Sequence, residues 1–428
     1  MRPALVLLFA FTALTANSFA DTYELVITNG RVMNPANGLD SIRHIGIRDG
    51  AIAALSRDPI EGEEVVDASG LVVAPGFIDL HAHGQREFEA ILQAQDGVTT
   101  QLEMELGAYP VDSWYEKRAG KVPINYGATV GHIGTRIAAM LDKRALGIEG
   151  QNLELHSEAL AVASQHREWM DDPATEAQIA DIKARIQEGL DQGALGMGFG
   201  VNYTAGATRE EVLELFRLAE ANGVTNFVHS RFMTEYNNGG SVDAIQELIA
   251  DVAITGASLH IVHIGSSGGN RVRTVLEMID GARAQGLDIT TEVYPYTAWS
   301  TFVGASIFNG EWTKAQDMQF EDIELPSTGE RLNAQRFREL RESAPDTIIV
   351  GHGMKEDNVS RAVAHPGVMI ASDGMIYDEN GRAHPRGAGT FSRVLGHYVR
   401  EKGVVSLMDA IGKMSYLPAR RLEAYVPQ

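Results

Sequence analysis

The chain has 428 residues, 44% hydrophobic and 22% charged, which is the composition of a folded globular protein with material for a large core. A formal net charge of -21 with no Lys/Arg-rich run argues against a nucleic-acid partner, because a phosphate backbone would be repelled. The absence of cysteine excludes disulfides and thiol chemistry, so stability must come from the core and from bound metal.

Residues 1–20 read as an export signal, with Arg2 as a positive start, an apolar run over 5–16 and Ser18-Phe19-Ala20 as a cleavage site. An apolar run of about a dozen residues is too short for a permanent anchor. The expected mature chain is therefore periplasmic or secreted and holds no membrane anchor. Residues 22–70 are dense in short strand patterns and are expected to form a small all-β unit. Thr28-Asn29-Gly30 and Arg48-Asp49-Gly50 stand between apolar runs, and their Asn-Gly and Asp-Gly pairs read as hairpin turns.

From residue 71 to 428 the pattern changes to strands alternating with helix-length segments. Strands are expected at 71–74 leading to 77–80, then at 98–106, 124–130, 194–199, 225–228, 259–264, 289–293 and 368–371. Segments such as 179–190 and 209–221 carry apolar residues at helical spacing. About eight β/α units is the number that closes a TIM-type barrel. Residues 309–345 form a more polar insertion, a candidate lid.

A barrel of this kind carries its functional groups at the C-terminal ends of its strands. His81 and His83 follow the strand at 77–80, and alternation aims both imidazoles at one place. His229, His263 and Asp373 end three later strands. A lone strand-end histidine is more often structural than a ligand. Four imidazoles and a carboxylate, each at a strand end, instead form a set suited to zinc. His44, His156 and His166 are read as surface residues, and His260 is expected on the opposite strand face from His263.

The second strand offers Glu103 and Glu105. Leu102, Met104 and Leu106 are expected to face the helices, which turns both acids into the barrel, where they are costly unless paired or bound to metal. Glu105, nearer the C-terminal end, is the expected metal ligand, with Glu103 a layer deeper. Residues 194–200 contain no lysine that could be carbamylated to bridge two metals.

On these residues the chain resembles the amidohydrolase superfamily, and within it the N-acyl-D-amino-acid deacylase (D-aminoacylase) group. The stretch 74–83, ending in His81-Ala82-His83, and Gly97-Val98-Thr99-Thr100 are general to the superfamily. More selective are Gly193-Ala194-Leu195-Gly196, Val293-Tyr294-Pro295-Tyr296-Thr297-Ala298 and Ser372-Asp373-Gly374. Val130-Gly131-His132 and His384-Pro385-Arg386 with Gly389-Thr390-Phe391 join them, and the match runs from about Thr22 to Arg421.

The resemblance implies a (β/α)8 barrel with a small, incomplete N-terminal β-sandwich, and one or two zinc ions per chain. It implies hydrolysis of a small-molecule N-acyl-D-amino acid, the handedness resting on the resemblance alone. The family's metal ligands fall on His81, His83, His229, His263 and Asp373, with Asp373 also acting as general base and acid. Arg386 resembles the group that holds the substrate carboxylate, and Tyr294 or Tyr296 the one that polarises the scissile carbonyl. His132 is a further candidate donor to the oxyanion, and Tyr203 a further candidate for substrate binding.

Three departures stand out. The family's usual cysteine ligand after the second strand is missing, with Leu106 near its place. A common lysine is replaced by Gly265. The strands expected to return to the sandwich after the last helix do not follow before Gln428, which implies a reduced sandwich or a truncated product. Two other functions fit the sequence less well. One is a cyclic-amide hydrolase (dihydroorotase- or hydantoinase-like) or dipeptidase of the same superfamily, and the other is a catalytically inactive exported zinc-binding protein. Nothing in the sequence specifies an oligomeric state.

Overall fold

A computed structural model describes residues 22–154, 157–233, 240–378 and 380–423. The expected export signal at 1–20 and His156 lie outside the described residues. The chain divides into two compact units between Ala74 and Pro75.

The first unit is one sheet of β1 (Tyr23–Asn34), β2 (Leu39–Arg48), β3 (Ala51–Ser56), β4 (Gly62–Asp67) and β5 (Val72–Val73). The order is β3-β2-β1-β4, with β5 also paired to β1. Asp49 and Gly50 hold φ of 52° and 71°, the positive values that a two-residue hairpin between β2 and β3 needs. Thr28-Asn29-Gly30, expected as a turn, is instead a bulge inside β1: pairing with β2 shifts between Ile27 and Gly30, and Asn29 takes φ 60°. His44 is buried in this sheet, not at the surface, and His166 in the second unit is half-buried.

The second unit is built on parallel strands β6 (Phe77–Asp79), β7 (Val98–Ala108), β8 (Asn125–Gly131), β9 (Met197–Gly200), β10 (Thr225–His229), β11 (Ser258–Ile261) and β12 (Ile289–Val293). An inserted sheet follows, made of β13 (Trp299–Phe302), β14 (Ile323–Leu325), β15 (Glu330–Arg331) and β16 (Ile348–Gly351), before β17 (Val368–Ile370) rejoins the barrel. The eight barrel strands run in the order β17-β12-β11-β10-β9-β8-β7-β6. Its two ends meet just past β6 and β17, where Ala82 bridges Gly374 and the Asp373 N–H donates to the His81 carbonyl at 2.7 Å. The barrel is nearly closed.

The helices are set by local signals. Thr175 and Gln178 form a capping box at the start of Glu176–Asp191, Thr208 caps Arg209–Asn222, and Gly223 ends the latter at φ 65°. Between strands and helices lies the main core. Val228, Ile261, Val293 and Ile370 pack there with helix residues such as Leu215, Leu248 and Val275.

A second cluster joins Leu80, Leu102, Met104, Phe227, Val262 and Met369, and because β7 and β10 are separated by two strands in the sheet their side chains meet across the barrel interior. This corrects the expected orientation of the second strand: Leu102 and Met104 face inward, away from the helices. Glu105 still reaches the interior because the pairing of β7 with β8 jumps from Glu103↔Ala128 to Ala108↔Val130. Extra residues on β7 break the alternation there. The inserted sheet has its own core, around Phe308, Trp312 and Phe337. Among the described residues no helix is long and apolar enough to cross a membrane.

Candidate metal centre

The six residues expected as ligands come together at the C-terminal end of the barrel. The Nε2 atoms of His81 and His83 lie 3.2 Å apart. Glu105 stands between two groups: its Oε2 is 2.8 Å from His81 Nε2 and 3.0 Å from His83 Nε2. Its Oε1 faces His229 Nδ1 and lies 3.3 Å from His263 Nε2. Asp373 Oδ1 completes the first group, 3.5 Å from His81 Nε2 and 3.4 Å from His83 Nε2. Within each group the donor atoms all lie within 4.8 Å of one another, and all six residues are buried. His263 and Asp373 sit at φ 34° and 51°, a left-handed backbone costing about 1–3 kcal/mol, which swings both side chains back over the strand ends.

A second layer fixes the imidazoles. Glu292 Oε1 lies 2.6 Å from His81 Nδ1, and Glu103 Oε2 lies 2.7 Å from His83 Nδ1. Each Nδ1–H donates to its carboxylate, leaving the Nε2 lone pair directed at the centre. His263 Nδ1 is 3.0 Å from Ser267 Oγ, and its backbone N–H donates to Glu292 Oε1 at 3.2 Å. Glu292 Oε2 is 2.8 Å from His260 Nε2, whose Nδ1 is 2.8 Å from Thr290 Oγ1. His260 is thus in the same interior as the ligands and not on the opposite face. β11 ends at Ile261, and the left-handed turn at His263 breaks the alternation that placed His260 outside. Glu292 was missed by the sequence reading. Its signal is a carboxylate within a short barrel strand, one residue before the strand ends, at a cost that calls for a partner. Asp79, pushed up to about 6 by burial, accepts the Ser372 N–H at 2.9 Å and so ties the first strand end to the last.

Imidazole nitrogens and carboxylate oxygens pointed at each other, with no arginine or lysine on Glu105 among the described residues, are a donor set suited to divalent zinc. Burial alone would raise the Asp373 carboxyl, but the Arg386 guanidinium and His81 outweigh it and hold it at about 2. Glu105 is likewise held well below the usual carboxylate range, with His81 and His229 overcoming its burial.

Over the centre lies a cavity of about 440 Å³, the size of a small-molecule site, with His83, Glu105, His229, His263 and Asp373 in its wall. Tyr294 lines it, with its hydroxyl 3.3 Å from Met354 Sδ and its ring 4.6 Å beneath the Arg386 guanidinium. Tyr203 lines it too, edge-on to His229 at 5.0 Å, with its hydroxyl 3.2 Å from Thr301 Oγ1. Burial pushes both phenols up, so both stay protonated and able to donate. Arg386 does not line the cavity itself but is buried directly behind Tyr294 and Asp373 of its wall, with Nη1 2.9 Å from Asp373 Oδ2.

Two expected residues are not brought here. Tyr296 packs edge-on to His384 at 5.2 Å and under Arg393 at 4.9 Å, having passed the end of β12 and Pro295. His132 opens the helix His132–Met140 and turns onto Phe199 and Glu211, its Nε2 2.8 Å from Glu211 Oε1. Neither ring lines the cavity.

The family model described as the amidohydrolase family matches residues 64–422. D-aminoacylase of Alcaligenes xylosoxydans xylosoxydans is 28% identical, over 95% of this chain and 85% of that protein. N-acyl-D-glutamate deacylase of the same organism is 29% identical, over 93% of this chain and 83% of that protein. The structure of N-acyl-D-glutamate deacylase from Bordetella bronchiseptica, solved with zinc and a phosphonate mimic of the reaction's tetrahedral intermediate, matches with a TM-score of 0.75 at 26% identity. That match covers 94% of this chain and 86% of that one. With its parallel barrel, its strand-end ligands and the family model spanning most of its length, this chain belongs to the amidohydrolase family.

Proposed function

We propose that this chain hydrolyses the amide bond of N-acyl-D-amino acids with zinc, releasing a carboxylate and a free D-amino acid. The observation that carries the reading is the single carboxylate, Glu105, shared by two ligand groups at the floor of a small-molecule cavity. Zinc held by His81, His83, Glu105, His229, His263 and Asp373 would supply an acidified water and a polarised carbonyl. Asp373, ionised at neutral pH, takes the proton of the attacking water and returns it to the leaving amine as the C–N bond breaks. The Tyr294 hydroxyl donates to the acyl oxygen as negative charge grows on it. Arg386, whose Nε has no hydrogen-bond partner among the described residues, holds the substrate carboxylate. Tyr203 borders the substrate on the His229 side, and the inserted sheet serves as its cover.

We place the reaction in the periplasm or outside the cell, on the strength of the signal-like residues 1–20. Purified, zinc-loaded protein should release free amine from N-acetyl-D-amino acids and not from their L forms. A folded, zinc-loaded sample that releases amine from neither form contradicts the reading.

A further inference from the structure

The D-aminoacylase and N-acyl-D-glutamate deacylase relatives carry names that differ in the side chain they accept, and the cavity bears on which kind this chain takes. Away from the metal centre its lining mixes neutral polar side chains such as Asn202, Asn309 and Gln316 with an apolar set of Trp299, Phe302, Ile307, Met318, Met354 and Met375. Thioether side chains adapt to apolar groups of varied shape and offer little to an ion.

Among the described lining residues, Arg231 is the only arginine or lysine. Its fork is already closed. Nε lies 3.1 Å from both oxygens of Glu247, Nη2 lies 2.8 Å from Oε1, and Nη1 donates to the Ala207 carbonyl at 2.6 Å. Both partners of this pair are largely buried, with side chains 11% and 7% exposed. Two residues past His263, Gly265 offers no side chain, and a Cβ there would stand 3.2 Å from the Met354 methyl, so that space is already apolar. Arg386 can serve one carboxylate, the one every amino acid carries. Beyond the metal centre, a second carboxylate would find no free arginine or lysine among the described lining residues, with Glu105 and Asp373 close by.

Resting on the hydrolase reading above, we infer that the preferred substrates are N-acyl amino acids with apolar side chains, and that Glu247, by occupying Arg231, determines the rejection of acidic ones. The test compares kcat/KM for N-acetyl-D-methionine, -leucine and -phenylalanine with N-acetyl-D-glutamate and -aspartate. The wild type is expected to favour the apolar set by about 10²-fold or more, as a site with an unmatched charge should. Glu247→Gln, which opens the Arg231 fork, should narrow that ratio at least ~10-fold. Wild-type turnover of the acidic substrates equal to or faster than the apolar ones overturns the inference and leaves the hydrolase reading standing. So does an unchanged ratio in folded Glu247→Gln. Should that variant not fold, the wild-type ratio decides alone. No release from any of the five overturns the hydrolase reading itself.

Discussion

Two buried glutamates in the barrel unit, Glu105 and Glu211, each sit against histidine, yet their surroundings give them opposite meanings. Glu211 accepts from His132 and is ion-paired through both oxygens to Arg136, whose Nε donates to the Trp169 carbonyl at 2.7 Å. A fixed cation matches the carboxylate, and the cluster is closed. Glu105 faces imidazoles from His81, His83, His229 and His263, with no arginine or lysine among its ion-pair partners in the described residues. Its counter-charge comes from imidazoles, the same groups that bind a divalent ion once they give up their protons. A strand-end histidine beside a buried acid is therefore not enough to mark a metal site. What separates the two is whether the counter-charge is a permanent arginine or titratable imidazoles that a metal can replace.

The comparison can be broken from either side. The largest effect is expected from Asp373→Asn, which keeps an oxygen donor but removes the proton acceptor. Turnover should fall about 10³-fold or more while bound zinc, measured by elemental analysis, largely remains. Activity within about tenfold of wild type would remove Asp373 from its role.

On the closed side, Glu211→Gln leaves Arg136 buried without its counter-charge and should cost about 3–5 kcal/mol in denaturant melts, with zinc content unchanged. Burial alone would raise the Glu211 carboxyl, but His132 and Arg136 hold it at about 2, below its ordinary 4.5. The stabilisation is therefore present above the ordinary value and lost as pH falls towards 2. The gap between wild type and variant should shrink between pH 7 and pH 3.

A smaller effect is expected from Glu103→Gln, which weakens the hold on His83 Nδ1. Zinc affinity should drop roughly 10–100-fold in competition with a chelator. An unchanged affinity would show that Glu103 does not orient the ligand. The smallest concerns Asp251, whose carboxyl burial and then Glu247 push up to about 7 from 3.8. The folded state holds its proton more tightly than the unfolded one, so stability falls as pH rises between those values. Asp251→Asn should remove that dependence and stabilise the protein by about 1 kcal/mol at pH 8, with little change at pH 4.

Much of this was legible from sequence because strand ends are. The barrel and the convergence of His81, His83, His229, His263 and Asp373 follow from alternating strand and helix patterns and from where each strand stops. Glu105 was reached by a faulty route: Leu102 and Met104 do not face the helices, and it is the irregular pairing of β7 that brings the acid inward. His260 was misplaced for a related reason, since period-2 alternation fails at the left-handed His263. His132 and Tyr296 matched local motifs, but where a side chain goes after a strand ends depends on neighbours far along the chain, here Glu211 and Arg393. The insertion was legible as a polar stretch at 309–345 but not as a sheet running from Trp299 to Gly351, and the Glu247–Arg231 pair is a product of tertiary packing that no local spacing announces.

Glu105, paired with imidazoles and with no arginine or lysine partner among the described residues, is the carboxylate on which the metal centre depends. Zinc per chain and amine release from N-acetyl-D-amino acids, measured together on the wild type and on Glu105→Ala, test this. The variant is expected to lose bound zinc and turnover together. A folded Glu105→Ala that keeps wild-type zinc and wild-type turnover would show that Glu105 has no part in the centre.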